Sequence, residues 1–168
     1  MPVSTEPTDP TAEIVAALVG RGLTIAVAES LTGGLLVAEL IRIPGASAVV
    51  NGGLVAYNTE LKHTLLGVDA TLLAERGAID PDVAAQMAVG VREVLAVGGR
   101  QADIGVSTTG VAGPDGQDGH PPGTAFVAIA IGDEVTVVAL ALSGDRGAIR
   151  SAVVRAAVRG LRHGLGME

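Results

Sequence analysis

Cysteine is absent from this 168-residue chain. That one absence removes disulfides, thiolate zinc sites, iron–sulfur clusters and cysteine nucleophiles together. Aromatic residues are nearly absent as well: Tyr57 and Phe126 stand alone, without tryptophan. A protein that holds single-stranded nucleic acid by stacking bases has almost nothing here to stack them on. Positive charge is scarce. Eleven Lys and Arg face 18 Asp and Glu, for a net charge of −7, which argues against a general DNA binder or a partner for anionic membranes. No apolar run approaches the ~20 residues of a membrane-spanning helix. The first ten residues, Met1 to Pro10, are polar and lack the basic start and apolar stretch of a signal peptide. These absences predict a soluble, cytoplasmic protein with a disordered arm over residues 1–10 and a single domain over residues 11–168.

What is present is aliphatic. Hydrophobic residues make up 48% of the chain and charged residues 17%, enough material for one large buried core. Helical spacing of apolar residues, punctuated by Gly and Pro, predicts helices over about 11–21, 32–41, 59–66, 69–75, 81–97 and 145–163. Short apolar runs predict strands over about 23–28, 49–57, 103–109, 124–131 and 134–142. Asp80-Pro81 reads as a cap followed by proline at the first helical position. Gly52-Gly53 predicts a bend in the second strand, and Gly132-Asp133 joins the last two strands as a hairpin. Interspersed helices and strands imply a sheet covered on both faces, and the hairpin makes that sheet mixed. The expected fold is a three-layer α/β/α sandwich.

The basic residues carry the sharpest compositional signal. Ten of the eleven are Arg, and Lys62 is the only lysine. An amine can shed its proton, whereas a guanidinium stays charged. Lys62 is therefore a candidate general base or nucleophile, against the plainer reading of a surface lysine. The only tyrosine, Tyr57, lies five residues earlier, where the strand passes into the helix.

A candidate partner for Lys62 lies in Ala28-Glu29-Ser30-Leu31-Thr32-Gly33-Gly34, between a strand and a helix. Ser30 falls at or just before the expected helix start, where free backbone N–H groups and the positive end of the helix dipole favour an anion. A developing oxyanion and a bound phosphate suit that place equally, and a simple N-cap is the competing reading. Gly33 and Gly34 admit the close approach of a ligand or of another chain segment. The three histidines look peripheral: His63 adjoins Lys62, His120 sits in a Gly/Pro loop and His163 lies near the end of the chain.

Two further features suit a phosphate. Ser107-Thr108-Thr109-Gly110-Val111-Ala112-Gly113-Pro114 follows a strand, and its hydroxyls and N–H groups offer a cradle. It matches neither a Walker A loop nor a Rossmann fingerprint. Arg146 opens the last helix, where the dipole disfavours positive charge. Either a neighbouring acid or a ligand oxyanion compensates it. Arg150, Arg155, Arg159 and Arg162 continue along the same helix and read mostly as solvated or as paired at an interface.

These motifs together resemble the C-terminal domain of the CinA (competence/damage-inducible) family. The matching stretches are Val27 to Gly34, Pro44-Gly45-Ala46-Ser47, Tyr57 through Lys62 to Val68, Gly77-Ala78, Thr109 to Pro114, Pro122-Gly123-Thr124 and Gly144-Asp145-Arg146. The resemblance implies the family's stand-alone form, without its N-terminal nucleotide-processing domain. It further implies an α/β/α fold, a homodimer and no required metal or other cofactor. The implied activity is hydrolysis of nicotinamide mononucleotide (NMN) to nicotinic acid mononucleotide and ammonia, in pyridine-nucleotide salvage. In that likeness Ser30 matches the nucleophile, Lys62 its base and Tyr57 an assisting residue. Ser47, Thr109 and Arg146 match positions lining the nucleotide site, and Thr32, Gly33, Gly110 and Gly113 join them as expected substrate contacts. His120 stands where the family more often has lysine. The competing classes are a non-catalytic binding module and an amidase for another carboxamide. A role in DNA uptake, suggested by the family name, finds no support in so acidic and aromatic-poor a chain.

Overall fold

A computed structural model describes residues 8–167 of the chain. Seven of the ten residues expected to form an N-terminal arm lie outside that range. Asp9 and Pro10 lie within it and belong to the fold. The Asp9 carboxylate caps helix α1 (Pro10–Arg21) by accepting from the Thr11 and Ala12 N–H groups, and it also pairs with Arg42.

Five strands form one sheet in the order β2-β1-β3-β4-β5. They are β1 (Ile25–Glu29), β2 (Val50–Val55), β3 (Ile104–Gly110), β4 (Thr124–Ile131) and β5 (Glu134–Ala141). β1 runs parallel to both β2 and β3, while β4 and β5 are antiparallel to their neighbours. The sheet is thus mixed, and the expected hairpin turns at Gly132-Asp133. The expected bend in β2 is a bulge: Ile25 pairs with Val50 and Ala26 with Gly52, leaving Asn51 over.

Helices cover both faces, as expected. On one side α1, α2 (Leu35–Ile41) and α6 (Arg146–Gly164) pack together. On the other lies α5 (Pro81–Val94), with α3 (Thr59–Thr64) and α4 (Ala70–Arg76) beside it. Strand alternation decides what each side receives. On β1, Ile25 and Val27 enter the cluster under α1, α2 and α6, while Ala26 and Ala28 enter the one under α5. The α5 face is lined with small residues, among them Ala84, Ala88, Ala128 and Ala130, so this helix lies close to the sheet. Gly105 makes the approach possible, because a Cβ there would stand 1.9 Å from the Ala88 carbonyl oxygen. Among the described residues no helix is long and apolar enough to cross a membrane.

The same alternation sets up the site. Carried one step beyond Val27, the phase sends Glu29 to the α2 side and Ser30 to the α5 side. β1, β2 and β3 are parallel, so their C-terminal ends share one edge of the sheet. The chain leaves β1 for β2 on one side and returns to β3 on the other. Open α/β sheets bind ligands at such a divergence.

Candidate active site

Ser30 follows the last residue of β1 and is 8% exposed. Lys62 comes from α3, whose start is capped by Asn58 accepting from the Glu60 N–H. The Lys62 side chain is 1% exposed, a burial rare for lysine. Its Nζ donates to Ser30 Oγ at 3.1 Å and to the Ala56 carbonyl at 2.7 Å. Burial pushes the amine down to about 8, because a charged ammonium is poorly solvated there. Desolvation is the only cause. The serine and the lone lysine, 32 residues apart, are thus in direct contact.

A cleft of about 550 Å³ opens over this pair, within the ~300–1,000 Å³ usual for small-molecule sites. Ser30, Tyr57, Lys62, Thr109, Gly110, Gly113 and Arg146 all line it. Tyr57 is 62% exposed, so it is a cleft residue and not part of the core. Its Oη accepts from Arg146 Nη2 at 3.1 Å, while Arg146 Nη1 donates to the Gly113 carbonyl at 2.6 Å. Among the described residues no carboxylate forms an ion pair with Arg146, although Asp115 lines the same cleft. Asp145 instead caps α6 by accepting from the Ala148 N–H. If Arg146 holds an anionic group of the ligand, Arg146→Ala should raise KM for a phosphate-bearing substrate about tenfold or more and leave kcat within a few-fold. Steady-state kinetics with and without the substrate phosphate check this.

Several expected contacts fall elsewhere. Helix α2 begins at Leu35 and not at Thr32, because Gly33 and Gly34 adopt positive φ and form a turn ahead of it. The N–H groups at the α2 start do not face an oxyanion at Ser30. The buried Glu29 carboxylate accepts from Gly34, Leu36 and Val37 at 2.8–3.1 Å and occupies that place. Thr32 is fully buried away from the cleft, its hydroxyl bonded to Thr108 Oγ1 at 2.8 Å. Gly33 also lies outside the cleft, and what approaches it is a chain segment, Arg150, rather than a ligand. Ser47 sits before the N-terminal end of β2, beside Thr24, Asn51 and Arg100. Tyr57 follows the opposite end of that strand, so Ser47 and the cleft are separated by the strand's length.

The hydroxyls of β3 are also committed. Ser107 Oγ donates to the Ala84 carbonyl and Thr109 Oγ1 to the Ala78 carbonyl, both at 2.6 Å. Thr108 Oγ1 accepts from the Ser30 N–H at 3.3 Å. Thr109 therefore offers the cleft lone pairs but no proton, which unsuits it to donate to a phosphate. His63 is structural, with Nδ1 2.7 Å from the Val68 carbonyl oxygen. Sequence reasoning missed Glu29, the Ala56 carbonyl and Arg150, and it missed Asn58 and Gln117 as lining residues. For Glu29 the available signal was an acid placed in phase with the buried Ile25 and Val27.

A family model of the CinA C-terminal domain matches residues 8–165. The chain belongs to the CinA family. A CinA-like protein of Frankia casuarinae is 46% identical over 145 residues, which are 86% of this chain and 32% of that protein. A relative from Geobacillus kaustophilus, named for competence and damage induction, is 50% identical over 131 residues, 77% of this chain and 30% of that one. The chain thus spans about a third of the length of these curated relatives. A CinA superfamily crystal structure from Klebsiella pneumoniae superposes with a TM-score of 0.87 at 31% identity, covering 94% of this chain and 96% of that one. A competence/damage-inducible protein from Agrobacterium tumefaciens superposes at 0.82 with 32% identity, covering 95% and 98%. The α/β sandwich is therefore the CinA fold along nearly its whole length.

Proposed function

We propose that this CinA-family chain is an amidohydrolase that converts NMN and water to nicotinic acid mononucleotide and ammonia. The observation that carries the reading is the 3.1 Å contact of Lys62 Nζ with Ser30 Oγ, at the base of a cleft that also presents Arg146. A buried amine near 8 is neutral in a useful fraction of molecules at neutral pH and takes the Ser30 proton. Ser30 Oγ attacks the carboxamide carbon. The C–N bond then breaks, and ammonia leaves with the proton that Lys62 returns. The resulting nicotinoyl ester on Ser30 is hydrolysed by water, with Lys62 again accepting a proton. Arg146 binds the 5′-phosphate, and Tyr57, held by Arg146, turns its own O–H toward the substrate.

Release of ammonia from NMN by the purified protein tests this, with Ser30→Ala as control. The wild type should turn over and Ser30→Ala should not. Binding of NMN without turnover by the wild type would leave a nucleotide-binding module in place of an enzyme. The pH profile adds a second check. The base works only when deprotonated, so kcat/KM should climb about tenfold per pH unit below about 8 and level off above it. A flat profile between about pH 6 and 9 removes Lys62 as the base.

A further inference from the structure

With the α2 start occupied by Glu29, the oxyanion of any acyl transfer at Ser30 needs other donors. The turn after Ser30 supplies them. The Ser30 N–H donates to Thr108 Oγ1, the Gly33 N–H to the Ser30 carbonyl and the Gly34 N–H to Glu29. Between them, the Leu31 and Thr32 N–H groups make no hydrogen bond among the described residues. The N–H of the residue after a nucleophile is a recurrent oxyanion donor. Two carbonyls of this turn accept from α6: Arg150 Nε donates to the Leu31 carbonyl at 2.9 Å and Nη2 at 3.1 Å to the Thr32 carbonyl, which also accepts from the Leu35 N–H.

We propose that Arg150 is a positioning residue that holds the turn after Ser30 by its Leu31 and Thr32 carbonyls, so that the Leu31 N–H at the cleft receives the oxyanion. Leu31 lines the cleft beside Ser30, and Arg150 fixes the carbonyl of that same residue from the α6 side. The charge is undivided, because among the described residues Arg150 pairs with no carboxylate. Gly33 allows the approach: a Cβ there would stand 3.3 Å from Arg150 Nη2. Arg150 lies one turn beyond Arg146 on α6, and the buried Ile149 and Val153 pack this part of the helix into the core. One helix therefore holds an arginine in the cleft and another behind the nucleophile's turn.

The inference rests on the amidohydrolase reading for its substrate but not for its test, which uses an alkyl fluorophosphonate. Ser30 Oγ displaces fluoride from phosphorus, Lys62 takes the proton, and the phosphoryl oxygen uses the same N–H donor. Arg150→Met should slow Ser30 phosphonylation about 10–100-fold, somewhat less than the loss of a whole oxyanion donor. It should lower kcat for NMN in proportion and leave KM within about twofold. Arg150→Lys, which keeps the charge but reaches one carbonyl, should recover part of the rate. Arg155→Met, on an exposed part of the same helix, should match the wild type. Wild-type phosphonylation rates per folded molecule in Arg150→Met, or a loss confined to KM, would overturn the proposal. If Arg150→Met does not fold, Arg150→Lys decides: a several-fold slower reaction supports the proposal, and an unchanged one overturns it. A wild type phosphonylated at Ser30 but inert toward NMN sinks the NMN reading alone, and the Arg150 comparison still stands on phosphonylation. A wild type that the reagent leaves unlabelled overturns the oxyanion assignment.

Discussion

Lys62→Met should lower ammonia release from NMN about 10³-fold, within the range for loss of a general base, while the fold persists. Methionine is unbranched and apolar, and it fills the slot that the lysine stem occupies. The same variant also reports on the amine's charge. The folded amine titrates near 8, against an ordinary lysine value of 10.5. Below about 8 both the folded and the unfolded chain carry the proton, and burial of the charge costs the wild type in full. Between about 8 and 10.5 the unfolded chain binds more protons than the folded one, so wild-type stability rises with pH through that window. Lys62→Met lacks this gain. It also leaves the Ala56 carbonyl without its partner, at a cost of about 1–3 kcal/mol that does not change with pH. Relief of the buried charge is of similar size, about 3 kcal/mol. The two proteins should therefore be near parity in urea at about pH 7, with the wild type ahead by about 2–3 kcal/mol at about pH 10. A difference that stays constant across that range would show that burial does not neutralise Lys62.

Glu29→Ala should be the most damaging change to stability at the site, at about 3–5 kcal/mol. Three N–H groups of the α2 start end on this carboxylate. Its oxygens are enclosed, so water cannot simply replace them. Glu29→Gln keeps a carbonyl oxygen but turns an N–H₂ toward the same donors, and should cost about half as much. Urea unfolding measures both, and amide exchange at Gly34, Leu36 and Val37 localises the loss. A cost below about 1 kcal/mol for Glu29→Ala would mean that the helix start finds other partners.

The fold was legible because its signals are local. Alternation along β1, the Asp80-Pro81 start of α5 and the Gly132-Asp133 hairpin each depend on a few adjacent residues. The Ser30–Lys62 pair was legible for a different reason: a chain that uses Arg ten times and Lys once marks that lysine before any contact is known. Other parts were hidden. The Gly33-Gly34 turn looks like the first turn of a helix until φ is known. Charge alone groups Arg150 with the exposed Arg155 and Arg159, although its helical phase, shared with the buried Val153, Ala157 and Leu161, sets it apart from both. Ser47 lies close in sequence to residues of the cleft, but the intervening strand carries it to the other end of the sheet.

The uncharged partners of Arg146 have a consequence at longer range. The protein as a whole repels anions, with a net charge of −7. Yet in the cleft one guanidinium is held by a carbonyl and a phenol, and neither cancels its field. At physiological salt that field fades over about 8 Å. If the ligand is the proposed mononucleotide, it meets the attraction of Arg146 only inside the cleft, which Asp115 also lines, while a longer nucleic acid strand meets mostly repulsion. Under that reading discrimination by size would come from electrostatics before any side chain has touched a base or a ring, and it should weaken as ionic strength rises.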